Sequence, residues 1–173
     1  MFVHSFDSVR ASGITINLEG GVGNQLFQYA AGLSLANLHG CKLTINTSRV
    51  INNRHSGECI TDFALPDRCQ VDNSLNSPVV DNRIFRSLRF RMHPRLTRFK
   101  TYFSSQTGFD GKLLNVPKGS QIQGYFQTYK FWEMLINQDS ASTKLELKSP
   151  SPLFDLLRNE AQECLPIVLH FRR

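Results

Sequence analysis

Gly20, Gly21 and Gly23 follow directly on a short apolar run, and two side-chain amides, Asn24 and Gln25, come next. Glycine lets a ligand approach the backbone closely. Where such a turn opens a helix, backbone N–H groups and the positive helix end suit an anionic or polar ligand. Asn24 and Gln25 can hydrogen-bond that ligand or cap the helix, and the residues alone favour neither role. Gly21 and Gly23 serve the turn in both cases. Near the other end of the sequence stand His170, Arg172 and Arg173. A guanidinium stays protonated, and its planar fork pairs two oxygens of a phosphate. Taken alone, however, the two arginines read as a solvated basic terminus and the histidine as structural.

Two nucleotide-binding motifs are weakened or excluded. Gly21-Val22-Gly23-Asn24-Gln25-Leu26 supplies the first two glycines of a dinucleotide fingerprint, but Leu26 stands where the third belongs. No acid ends the next strand, where Asn46, Thr47 and Ser48 stand, so the ribose-binding carboxylate of an NAD site is missing. No Gly-Lys-Ser/Thr follows, which excludes a P-loop. Cys41, Cys59, Cys69 and Cys164 include no C-x-x-C pair, so no zinc site is expected. Cys59 and Cys69 can pair in an oxidising compartment, but free thiols are the simpler expectation. Asn46-Thr47-Ser48 matches a glycosylation sequon, which matters only in a secretory lumen.

The elements that must position these groups read as α/β. Ile14 to Leu18 is a short, mostly buried strand. A helix is expected from Asn24 to His39, with Leu26, Phe27, Ala30, Ala31, Leu33 and Leu38 on its apolar face and Gly40 as its terminating glycine. Leu43-Thr44-Ile45 is a second strand, which completes a βαβ unit with parallel strands. Thr47 to Asn82 reads mostly as loop, with a short apolar piece at Phe63-Ala64-Leu65. Arg83 to Phe99 reads as an amphipathic helix interrupted near Pro94. Gln121 to Phe126 is a third strand. Thr128 caps a helix from Tyr129 to Ile136. Ser151 and Pro152 open a further helix to Cys164, with Leu153, Leu157, Ala161 and Cys164 inward. Ile167-Val168-Leu169 is a buried strand that delivers His170, Arg172 and Arg173 to its carboxyl end, where open α/β sheets bind ligands. Tyr125, Phe126 and Phe131 read as core rather than as a sugar platform.

At 173 residues the chain fits one domain, or one domain and part of another. Hydrophobic residues at 40% and charged residues at 20% argue against general disorder. Arg83, Arg86, Arg89, Arg91, Arg95, Arg98 and Lys100 lie in a stretch without acids. Their seven positive charges exceed the net +6 of the whole chain, so the remainder is close to neutral. A solvated face is the leading reading of that stretch. A surface for anionic lipid headgroups comes second. Nucleic-acid binding comes last, since no nucleic-acid motif accompanies it. No signal peptide is read at the N-terminus and no run of about 18 apolar residues occurs.

Three segments, in order, resemble the α-1,2-fucosyltransferase family (glycosyltransferase family 11). Gly20-Gly21-Val22-Gly23-Asn24-Gln25-Leu26-Phe27-Gln28-Tyr29-Ala30 resembles its N-terminal signature. Gly124-Tyr125-Phe126-Gln127-Thr128-Tyr129-Lys130-Phe131 resembles its Gly-Tyr-Phe-Gln segment, and His170-Phe171-Arg172-Arg173 the start of its His-x-Arg-Arg-x-Asp motif. The resemblance runs from Ile14 to Arg173 and covers the front half of the family pattern. It implies a Rossmann-like parallel sheet over 14–173, the N-terminal half of a two-domain GT-B-like enzyme whose second domain is missing here, preceded by an N-terminal extension over 1–13.

The activity so implied is transfer of L-fucose from GDP-fucose to a galactose 2-hydroxyl with inversion. It needs no cofactor and no obligatory metal, and the fragment as given is expected to be inactive. An oxocarbenium-like state forms while charge builds on the departing diphosphate, and that charge must be stabilised. Arg172 and Arg173 are expected to contact the diphosphate as catalytic groups. His170, Gly21, Gly23, Asn24 and Gln25 are the expected substrate-binding residues. A carboxylate normally serves as general base; Glu19 beside the turn and Asp62 in the loop are present, but neither is singled out. Expected partners are GDP-fucose, a galactose-containing acceptor and an anionic membrane surface, with no nucleic acid. A bacterial-type enzyme, peripheral on a membrane or cytoplasmic, is the expected setting. The competing expectation is a basic module that binds nucleic acid or anionic surfaces.

Overall fold

Four consecutive positions, Ile14–Asn17, form strand β1 in the computed structural model, which describes residues 13–51, 60–75, 100–138 and 144–163. Ile14 and Ile16 are fully buried in it, and Leu18 follows them into the core. Helix α1 spans Val22–His39 and ends where Gly40 takes φ 58°, the left-handed conformation expected of a terminating glycine. Strand β2 is Leu43–Asn46, and the one-turn helix α2 is Ser48–Ile51. Strand β3 is Cys69–Asp72, strand β4 is Lys100–Phe103 and strand β5 is Ser120–Gln123. Helix α3 covers Lys130–Gln138 and helix α4 covers Pro152–Glu163.

The five strands form one sheet in the order β3-β2-β1-β5-β4, and every pair is parallel. Apolar residues alternate with polar ones in the central strands, Ile14 and Ile16 in β1 and Leu43 and Ile45 in β2, so these four share one face of the sheet. The fold is therefore α/β with a parallel, Rossmann-like sheet. The core joins Ile14, Ile16, Leu43, Ile45 and Ile122 of the sheet to Tyr29, Ala30, Ala31, Leu33, Leu35 and Ala36 of α1 and to Phe131 and Leu135 of α3. Ser34 Oγ donates to Phe131 O at 2.9 Å and ties α1 to α3.

Several expectations change. The segment read as loop after Thr47 contains α2, a single 3-10 turn at Ile60–Asp62 and β3. Phe63 bridges to Leu147 in antiparallel fashion, and Ala64 N donates to Glu146 O. Strand β4 was not expected at all. Leu38 faces solvent at 52% exposure, so the buried face of α1 is built from Ala30, Ala31 and Leu33 without it. Helix α4 starts as expected, with Ser151 Oγ accepting from Phe154 N at 3.1 Å, but it buries no residue. Leu153 and Leu157, expected to face inward, are 65% and 52% exposed. Thr128 Oγ1 accepts from Lys130 N at 3.3 Å at the start of α3, in line with its expected cap role.

Residues 1–12, the segment Arg83–Phe99 expected as a helix, the segment Ile167–Leu169 expected as a strand, His170, Arg172, Arg173, Cys59 and Cys164 lie outside the described residues. Cys41 and Cys69 are free thiols. Among the described residues no helix is long and apolar enough to cross a membrane.

Candidate functional site

Each inner strand of the sheet ends in a polar side chain, and the parallel register lines these ends up. Asn17 of β1 sits opposite Asn46 of β2, and Asn46 opposite Asp72 of β3. Asn46 Nδ2 donates to Asn17 Oδ1 at 2.7 Å, and Asn17 Nδ2 donates to Gln121 Oε1 of β5 at 3.4 Å. Asn46 Oδ1 also accepts from Ser48 N at 3.1 Å, which turns the chain into α2. Asn17 and Asn46 have no exposed surface. Burial of amides is tolerable only with such partners, and the chain of amides makes a rigid floor at the carboxyl edge. Asn46 is thereby unable to serve as a glycosylation acceptor in the folded chain.

The glycine turn rises from this floor. Gly20 carries the turn itself, at φ 80°, and a Cβ there would lie 2.5 Å from Asn24 Nδ2. Gly21 and Gly23 differ from that expectation: neither has a positive φ, and an added Cβ would meet nothing within 4 Å at either position. Neither the turn nor packing requires glycine at these two places. Both are exposed at the start of α1, whose N-terminus has no side-chain cap and no acid in its first turn. That leaves an open approach to a positive helix end.

Asn24 and Gln25 part company. Gln25 is fully buried, and its Nε2 donates to Gly20 O at 2.9 Å, so it braces the turn from behind. Asn24 is half-buried on the open side, and its Oδ1 accepts from Gln127 Nε2 at 2.8 Å. Gln127 reaches it because the chain reverses after β5. Gly124 packs there so closely that a Cβ would lie 2.9 Å from Phe126 Cζ and from Ser104 Cβ. Phe126 then takes φ 51°, a strained value for a non-glycine residue, and is fully buried edge-on against Phe131 at 5.9 Å. Backbone strain of this kind persists only where packing holds it. Phe126 and Phe131 are core, as expected, whereas Tyr125 is 41% exposed at this edge and is not.

The acid beside the turn has more partners than its sequence position suggested. Glu19 N donates to Gln28 Oε1 at 2.9 Å. Its Oε2 accepts from Gln123 Nε2 at 3.3 Å and lies 3.2 Å from Arg49 Nη1. The other atoms of the two amides, Gln28 Nε2 and Gln123 Oε1, are buried without partners among the described residues, as is Thr47 Oγ1. Asp62, the other acid considered as a base, sits in the 3-10 turn near the Phe63–Leu147 bridge.

A second acid lies at the carboxyl end of β4. Asp110 accepts from Tyr102 Oη at 2.6 Å, Ser104 Oγ at 2.7 Å and Lys112 N at 3.1 Å. Burial alone raises its carboxyl pKa, but these donors and the Lys112 charge outweigh it and hold the group below the ordinary carboxylate value. Burial, followed by the Asp110 contact, pushes Tyr102 up. With three donors held, Asp110 anchors the loop from β4 to β5. Among the described residues no group of His, Cys, Asp or Glu is arranged to hold a metal.

The strand order breaks between β1 and β5, with β2 and β3 on one side and β4 on the other. Open α/β sheets bind ligands outside the carboxyl ends at such a break, and Glu19, Asn24, Gln123 and Gln127 all stand there. The pattern of residues had pointed to the glycine turn but not to Asn17, Gln28, Arg49 or Gln123; the only hint was a polar residue closing each apolar strand. In comparisons with family models, curated proteins and solved structures, no match to this chain was found.

Proposed function

We propose that the chain is the N-terminal, Rossmann-like half of a GT-B-type inverting galactoside α-1,2-fucosyltransferase. One observation carries this reading. Asn24 and Gln127, separated by 103 positions, are hydrogen-bonded at 2.8 Å across the carboxyl edge of the sheet. They belong to the two segments, Gly20–Ala30 and Gly124–Phe131, that resemble the family, and these meet at the break in strand order, where a ligand is expected. Asn24, Gly21 and Gly23 then face the glycan acceptor and the sugar being transferred, while Gln25 supports them. His170, Arg172 and Arg173 remain the groups proposed for the GDP diphosphate, with the guanidinium forks taking up leaving-group charge. The 2-hydroxyl of galactose attacks from the opposite face, which inverts the anomeric centre. Acceptor glycans at a membrane surface suit the basic stretch from Arg83 to Lys100.

Titrating the 173-residue chain with methyl β-galactoside and with GDP, followed by amide NMR, tests this. The galactoside is expected to shift resonances of Gly20–Asn24 and Gly124–Gln127 together, and GDP those of Arg172 and Arg173. Tight, strongly salt-dependent oligonucleotide binding with silence toward both small ligands would instead establish a basic binding module.

A further inference from the structure

Resting on the glycan-acceptor reading, we infer that Glu19 is the carboxylate that takes the acceptor hydroxyl, in a subsite built for a neutral, polyhydroxylated ligand. Glu19 follows Leu18 at the end of β1, beside the break in strand order, and its side chain is 22% exposed. Among the described residues only one of its carboxylate oxygens is engaged: Oε2 accepts from the Gln123 amide at 3.3 Å and lies 3.2 Å from Arg49 Nη1 as an ion pair. Two lone pairs on Oε1 are left to accept hydroxyl protons from outside.

The flanking groups specify the ligand. Arg49 neutralises Glu19, so an ammonium or metal cation gains little there, and Glu19 in turn repels an anion from Arg49. What remains favoured is a neutral molecule with hydroxyls that donate and accept. Gln28 and Gln123 each spend one amide atom on Glu19, and each keeps the other, a donor at Gln28 Nε2 and an acceptor at Gln123 Oε1, without a partner among the described residues. Gln28 is fully buried and Gln123 is 8% exposed. Both atoms are shut off from solvent, and unpaired buried amides are costly. The exposed Tyr125 ring stands at the same edge, at the end of β5.

Glu19→Gln keeps the size and an oxygen acceptor but removes the charge. Charge-assisted hydrogen bonds of this kind change affinity by about ten-fold or more. Isothermal titration of the full chain with methyl β-galactoside is therefore expected to show at least a ten-fold weaker Kd for Glu19→Gln, at a temperature where urea unfolding shows the variant to be fully folded. Arg158→Ala, on the remote helix α4, is expected to bind like the parent. Among singly O-methylated galactosides, one should bind the parent weakly and lose nothing further with Glu19→Gln, since the contact is already gone. If the parent binds galactoside and Glu19→Gln binds it equally well, the assignment of Glu19 is wrong while the acceptor reading stands. If the parent does not bind galactoside at all, the acceptor reading fails and Glu19 falls with it.

Discussion

Gly20 and its neighbours separate two uses of glycine within one turn. At Gly20 a side chain is opposed both by φ 80° and by Asn24, whereas at Gly21 and Gly23 there is open space. Gly20→Ala is therefore expected to cost about 1–3 kcal/mol in urea unfolding. Gly21→Ala and Gly23→Ala should stay within about 0.5 kcal/mol while weakening the galactoside response, because a methyl group there stands in the ligand's path. Asp110 offers an acid-side prediction. Its folded pKa lies below the unfolded value, so its stabilisation is complete above the ordinary carboxylate range, about 4. That stabilisation is lost as the pH falls below that range through the folded value. Stability measured from pH 6 down to pH 2 should fall less steeply in Asp110→Asn than in the parent, though from a lower starting point.

Helices α1 and α4 show how little a single helix pattern says about burial. Both carry leucines at helical spacing, yet Leu33 is fully buried and Leu156 is 61% exposed. Leu33→Ala is expected to cost about 2–5 kcal/mol, and Leu156→Ser no more than about 0.5 kcal/mol, in the same unfolding assay. The elements legible beforehand were those with a strong local signature: the apolar run and glycines of β1 and α1, Gly40, and the caps at Thr128 and Ser151. Strands β3 and β4 escaped because the outer strands of the sheet are only half-covered. Cys-Gln-Val-Asp offers one aliphatic residue, Val71, and that residue is 38% exposed. At the candidate site the glycine turn was legible, but its partners were not. Register alone puts Asn17 beside Asn46, and only the return of the chain after β5 puts Gln127 beside Asn24. No local pattern encodes contacts that the sheet order creates.

Across the whole molecule, that order separates support from recognition. The described charges near the site cancel in the Glu19–Arg49 pair, whereas the cationic stretch of the sequence lies from Arg83 to Lys100. On the proposed function, attraction to an anionic surface and selection of a neutral ligand would fall to different parts of the chain. The sheet order also governs assembly. Strand β5 enters between β1 and β4, and its partner in β1 was made more than 100 residues earlier, as in the pairing of Ile16 with Ile122. On a ribosome, β1, β2 and β3 can pair early, but one side of β1 keeps its unpaired N–H and C=O groups until β5 emerges. Nascent chains released before that point carry a sticky open edge in the middle of what would become the core, so a chaperone that shields extended backbone would find its natural client in the unfinished protein rather than in the finished one.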